Sequence, residues 1–75
     1  MRTLTIGTRS YEVGDELVVR MADRWFRMSP ERRGNRADIA KTQLARAAQG
    51  KQSAGTEKAA KEAAAILLSQ GISNI

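Results

Sequence analysis

Between Thr3 and Met28 the apolar side chains alternate with polar ones or fall in short runs bounded by turn-forming residues; beyond Pro30 they recur every three or four positions. The first pattern has the period of a strand and the second that of a helix. Leu4 and Ile6 share one face of a short strand, with Thr3 and Thr5 on the other. Gly7-Thr8-Arg9-Ser10 reads as a turn, after which Tyr11 and Val13 extend a second pairing segment. Gly14-Asp15 is a turn dipeptide whose glycine is expected at positive φ. Glu16 to Met21 alternates cleanly, with Leu17, Val19 and Met21 facing one way and Glu16, Val18 and Arg20 the other, and predicts the best strand of the chain. Ala22-Asp23-Arg24 then closes a tight connection into Trp25-Phe26-Arg27-Met28, where Phe26 and Met28 point together, opposite Trp25 and Arg27. An antiparallel meander of about three strands is therefore predicted over residues 1–29, one face packed and one partly solvated.

Ser29-Pro30-Glu31 has the grammar of a helix start: a serine cap, proline at the first helical position and an acid in the first turn. Gly34-Asn35 interrupts it, and Asn35 with Asp38 three residues on forms a second cap, which predicts a helix from about Arg36 to Gln49. Ala37, Ala40, Leu44, Ala47 and Ala48 make its apolar stripe, and Gly50 ends it. Lys51 to Gly55 is a polar linker, and Thr56 caps a helix over Glu57 to Gln70. In that helix Ala60, Ala63, Ala64 and Leu67 share one face, while Lys58, Lys61, Glu62 and Ser69 lie away from it; Glu57 and Lys61 form an i, i+4 pair. Gly71-Ile72 fits a Schellman ending with Ile72 folded back toward Leu67, and the last residues are expected to fray. The predicted fold class is α+β, ordered β-β-β-α-α, in one domain spanning residues 1–75 with a helical part from residue 30 onward.

Composition narrows the function. Hydrophobic residues are 41% of the 75, but alanine supplies much of that share. Each larger apolar side chain contributes roughly 1.5–3 kcal/mol when buried, against an ordering cost of about 1.5 kcal/mol per residue. So small a core leads us to expect a homodimer or a partner that completes it. The chain has neither cysteine nor histidine, so disulfides, thiolate nucleophiles, zinc sites of the usual kinds and histidine acid–base catalysis are excluded. Its glycines form no phosphate-loop or dinucleotide fingerprint. Asp15, Glu16 and Asp23 belong to strand ends and turns, without metal-ligand spacing. A non-enzymatic protein with no cofactor and no metal is expected. The longest strongly apolar run, Ala63 to Leu68, is far too short for a membrane span, and Met1 to Thr5 has no apolar signal core. A cytoplasmic protein is the expectation.

Charge supplies the strongest functional signal. The net charge is +5, and residues 1–36 hold eight arginines and no lysine against five acids. Arginine's planar fork suits bidentate contact with phosphate or carboxylate. Arg24, Arg27, Arg32, Arg33 and Arg36 cluster around Trp25 and the Pro30–Asn35 segment, a pattern able to track a phosphate backbone; Trp25 either sits in the core, with the arginines solvating a turn, or stacks on a base from the open face. Lys58 and Lys61 form a secondary basic face. The run from Thr56 to Leu68 resembles the final helix of double-stranded-RNA-binding domains, in which lysines near the helix start meet phosphates across a groove; the resemblance assigns that contact to Lys58 and Lys61. One residue of that family's lysine pair is matched only by Glu57, and the family's N-terminal helix has no counterpart. Tyr11 to Arg20, with its Val13-Gly14-Asp15 turn, looks like the opening of SH3-like barrels and implies a binding module.

Two function classes follow. One is a nucleic-acid-binding accessory or regulator, on DNA or RNA. The other is a small interaction protein that blocks a site on a larger complex, similar in type to phage-encoded inhibitors such as anti-CRISPR proteins. In that case the arginines meet an acidic protein surface, with Tyr11, Trp25 or Phe26 as anchors.

Overall fold

The computed structural model describes residues 1–50 and 54–75, with Ala54, Gly55 and Thr56 described as backbone only. The order is β1 (Arg2–Ile6), β2 (Arg9–Val13), α1 (Asp15–Phe26), α2 (Pro30–Ala48) and α3 (Ala54–Ser69). The class is α+β, as the residue pattern predicts, but the architecture is a two-stranded antiparallel hairpin followed by three helices.

The hairpin runs in the register Leu4↔Tyr11 and Ile6↔Arg9, closed by Gly7-Thr8. Gly7 has φ +58° and Thr8 does not share the positive sign, the combination of a type II′ turn, whose twist matches that of the paired strands. Cross-strand partners share a face, so Leu4, Ile6, Tyr11 and Val13 all lie on one side. Leu4 and Val13 are fully buried there, while Thr3, Ser10 and Glu12 on the other side are exposed. Instead of fraying, the C-terminal residues lie along the outer edge of β1: Thr5 donates its N–H to the Ser73 carbonyl at 2.8 Å and accepts from the Ile75 N–H at 2.9 Å. Asn74 thereby bridges Thr5 in parallel. This protects one edge of a hairpin that has no third strand among the described residues.

The predicted third strand and the Trp25–Met28 strand are instead the helix α1 and its exit. Leu17, Val19 and Met21 do alternate, but Leu17, Val18, Met21 and Trp25 also recur at i, i+1, i+4 and i+8, and it is this helical set that faces the core. Val19, which strand geometry would bury beside Leu17, is 67% exposed. Terminal charges reinforce the choice: Asp15 and Glu16 occupy the first turn and Arg24 the last, matching the helix dipole. Gly14 is the N-cap, with φ −65° rather than the positive value expected, and its carbonyl accepts the Leu17 and Val18 N–H groups.

α2 starts at the first of its two candidate caps. Ser29 accepts the Arg32 N–H, Pro30 opens the helix and Glu31 sits in its first turn. The helix then runs straight through Gly34 and Asn35, because a single glycine costs only about 1 kcal/mol inside a helix and the buried stripe beyond it outweighs that. Ala40, Leu44 and Ala47 are buried and Ala37 and Ala48 half-buried, the stripe read from the sequence. Gly50, at φ +78°, ends it.

α3 is the centre of the molecule, packed against α1, α2 and both strands. It begins at Ala54, ahead of the predicted start; residues 51–53 of the predicted linker, with Lys51, and the capping role of the Thr56 side chain lie outside the described residues. Residues Ala63 to Leu68 are all buried, so this second half of the helix is apolar all round, while Glu57, Lys58 and Lys61 in the first half are exposed. Alanine side chains at 60, 63, 64 and 65 let its neighbours approach closely on every side. Its end is the Schellman motif expected: Ile72 N–H donates to the Leu67 carbonyl and Gly71 N–H to that of Leu68, with Gly71 at φ +81° and Ile72 packed on the core.

Candidate functional site

Because residues 15–26 are helical, the arginine-rich stretch is not a strand and loop. It is the corner where α1 ends and α2 begins, above α3. There the arginines take different roles.

Arg33 is committed to the fold. Its Nε donates to the Trp25 carbonyl at 3.2 Å and one terminal nitrogen to the Phe26 carbonyl at 2.9 Å. The Trp25 carbonyl also accepts the Met28 N–H at 3.1 Å, and both carbonyls belong to the last turn of α1, where a cation complements the dipole. The guanidinium lies over the Phe26 ring, 5.7 Å from its centroid. Arg27, just past the helix end, pairs with Asp23 at 3.2 Å, in the open.

Arg24, Arg32 and Arg36 converge. Arg24 from α1 and Arg36 from α2 line a pocket of about 70 Å³ floored by Met21, Trp25, Met28 and Ile66, with Glu62 of α3 on its rim. An adjoining groove is lined by Met28, Arg32, Asn35, Arg36 and Ile39. Met28 and Arg36 belong to both, so pocket and groove are neighbours, with Arg24 lining the pocket, Arg32 the groove and Arg36 both. Their lining combines apolar side chains with the three arginines, and among the described residues Glu62 is the one acid on the pocket. No carboxylate lies within 4.0 Å of these arginines among the described residues, where the ion pairs all involve Asp15 or Asp23. Trp25 is half-buried: it packs against the core and shows an edge to the pocket, so it is neither a fully sequestered core residue nor a free stacking platform.

Lys58 and Lys61 stand apart, exposed on the first turns of α3. They line a groove between α1 and α3 with Leu17, Arg20, Glu57 and Glu62. Arg20 is the residue that the strand reading missed. A helical reading of the same segment puts Leu17, Arg20 and Arg24 at i, i+3 and i+7 on one face, which carries Arg20 toward the lysines. Glu62 borders this groove and the Arg24–Arg36 pocket, so the two basic clusters flank one carboxylate. Arg9 is also structural: it donates to the Ala47 carbonyl at 2.8 Å and ties the start of β2 to the end of α2.

Among the described residues no group of three or more acidic, histidine or cysteine side chains is placed to hold a metal ion, and no helix is long and apolar enough to cross a membrane. No protein-family model, curated protein or solved structure matches the chain.

Proposed function

We propose that this protein is a small, non-enzymatic nucleic-acid-binding accessory that contacts the phosphate backbone through the α1–α2 corner. The observation that carries the reading is that Arg24, Arg32 and Arg36, none within 4.0 Å of a carboxylate among the described residues, line two neighbouring depressions that share Met28 and Arg36. Guanidinium groups fixed on two helices meet successive phosphates without first breaking internal ion pairs. The apolar floor, with the Trp25 edge, accepts a sugar or base face. Arg20, Lys58 and Lys61 extend the cationic surface across α3 as a secondary contact. Affinity is then mainly electrostatic, with little sequence preference. Anisotropy titrations of labelled duplex DNA, duplex RNA and single strands at several salt concentrations test this: micromolar binding at low salt that weakens linearly in log–log form is expected. Absence of binding at low salt would overturn it.

The second reading, a small inhibitor seated on an acidic face of a larger complex, is favoured by Phe26. Of the three aromatics named as anchors it alone is largely exposed, at 69%. In that case nucleic acid does not bind and the same arginines meet carboxylates.

A further inference from the structure

Val19 and Phe26 are the two most exposed large apolar side chains within the helices, and both lie on α1. With the half-buried Ala22 they fall within about 60° of one another on the helical wheel, making a seam two turns long that is largely open except where the Arg33 guanidinium lies over the Phe26 ring. The Arg33 fork fixes the carbonyl of Phe26 and lies over its ring, so the aromatic is held in place rather than free to fold back. Beside this seam runs a row of exposed charges, Glu16, Arg20, Asp23 and Arg27, the last still with helical backbone angles.

We infer that this face pairs with a second copy of the same chain, α1 against α1, antiparallel about a two-fold axis near the middle of the helix. The order of charges selects that partner and orientation. About a centre between Met21 and Ala22, Glu16 falls opposite Arg27 of the other copy and Arg20 opposite Asp23, and the two-fold repeats both pairs; Asp23 and Arg27, which pair with each other at 3.2 Å within one chain, then share their charges with Arg20 and Glu16 of the other copy. A parallel two-fold copy would carry its row to the opposite flank of the seam, where none of these pairs forms. The same centre brings Val19 within about 3 Å, along the axis, of Phe26 of the other copy, close enough for the ring to cover the valine. Arg24 and Arg36 lie outside this seam, so the paired molecule presents two copies of the basic depression.

The test is the dependence of mass on concentration, followed by charge exchange. In sedimentation equilibrium at low salt, the average mass is expected to rise from one chain toward two between about 10 and 500 µM, the weak range fitting so short a contact. A mass that stays at one chain throughout would overturn the inference. Glu16→Arg and Arg27→Glu chains are each expected to self-associate about fivefold or more weakly than the original, since each places like charges opposite one another. Mixed in equal amounts, they restore association to within about threefold of the original, because the arginine introduced in one chain then meets the glutamate introduced in the other. Failure of the mixture to recover, with both chains folded by circular dichroism, would rule out the antiparallel pairing.

Discussion

α3 and α1 are both amphiphilic in composition, yet they solve opposite problems. From Ala63 to Leu68 α3 has no exposed residue, because sheet and helices surround it and alanine keeps it narrow enough to be surrounded. α1 buries Val18 and Met21, half-buries Leu17 and Trp25, and leaves Val19, Phe26 and a row of charges outside. The central helix is consumed by the fold. The peripheral helix has one face left over, and the cationic depression begins at its end. Function in so small a protein is therefore to be sought where the core stops, at the α1–α2 corner.

Substitutions along the two helices should separate these roles. Leu67, fully buried in α3, is expected to give the largest effect: Leu67→Ala costs about 2–5 kcal/mol, a large share of the stability of a domain this size, read from urea unfolding. Trp25→Ala removes a half-buried ring at the corner and costs about 2 kcal/mol, less than full burial of an indole implies; loss of less than about 0.5 kcal/mol would show the ring to be a free platform. Arg33→Ala, which removes both side-chain donors and leaves the Phe26 carbonyl to solvent while Trp25 keeps the Met28 N–H, lowers thermal stability by about 1 kcal/mol, and Arg33→Lys recovers little because a point charge cannot replace the fork. Gly71→Ala costs a similar amount, about 1 kcal/mol, because φ +81° strains any residue with a Cβ. Arg24→Ala and Arg36→Ala, on the open side of the corner, should each change stability by no more than about 0.5 kcal/mol.

What could be read from the sequence follows the same division. The hairpin face of Leu4 and Ile6, the alanine stripe of α2, its stop at Gly50 and the Schellman end of α3 were legible because each rests on local chemistry: alternation, a stripe, a glycine at positive φ. α1 was not. Its leading residues, Glu16 to Met21, satisfy a period of two and a period of 3.6 at once, and only the presence of α3 to receive Val18, Met21 and Trp25 decides between them. Gly34-Asn35 misled for a related reason, since a local breaker signal yields to a stripe that the rest of the fold buries. The basic cluster was visible in composition, but its sorting was not. That Arg33 caps a helix while Arg24, Arg32 and Arg36 line two neighbouring depressions depends on the corner between α1 and α2, which a strand reading cannot produce.

The most direct test of the proposed interface compares salt slopes. Anisotropy titrations of one labelled duplex would be run with the original chain, with Arg24→Ala/Arg36→Ala, and with Lys41→Ala/Arg46→Ala, which removes equal charge from residues that line neither depression. The account predicts that the first pair lowers the slope of log affinity against log salt by about 2, while the second leaves it within about 0.5 of the original. Equal losses from the two pairs would mean that net charge alone attracts the duplex, and would contradict a site at the α1–α2 corner.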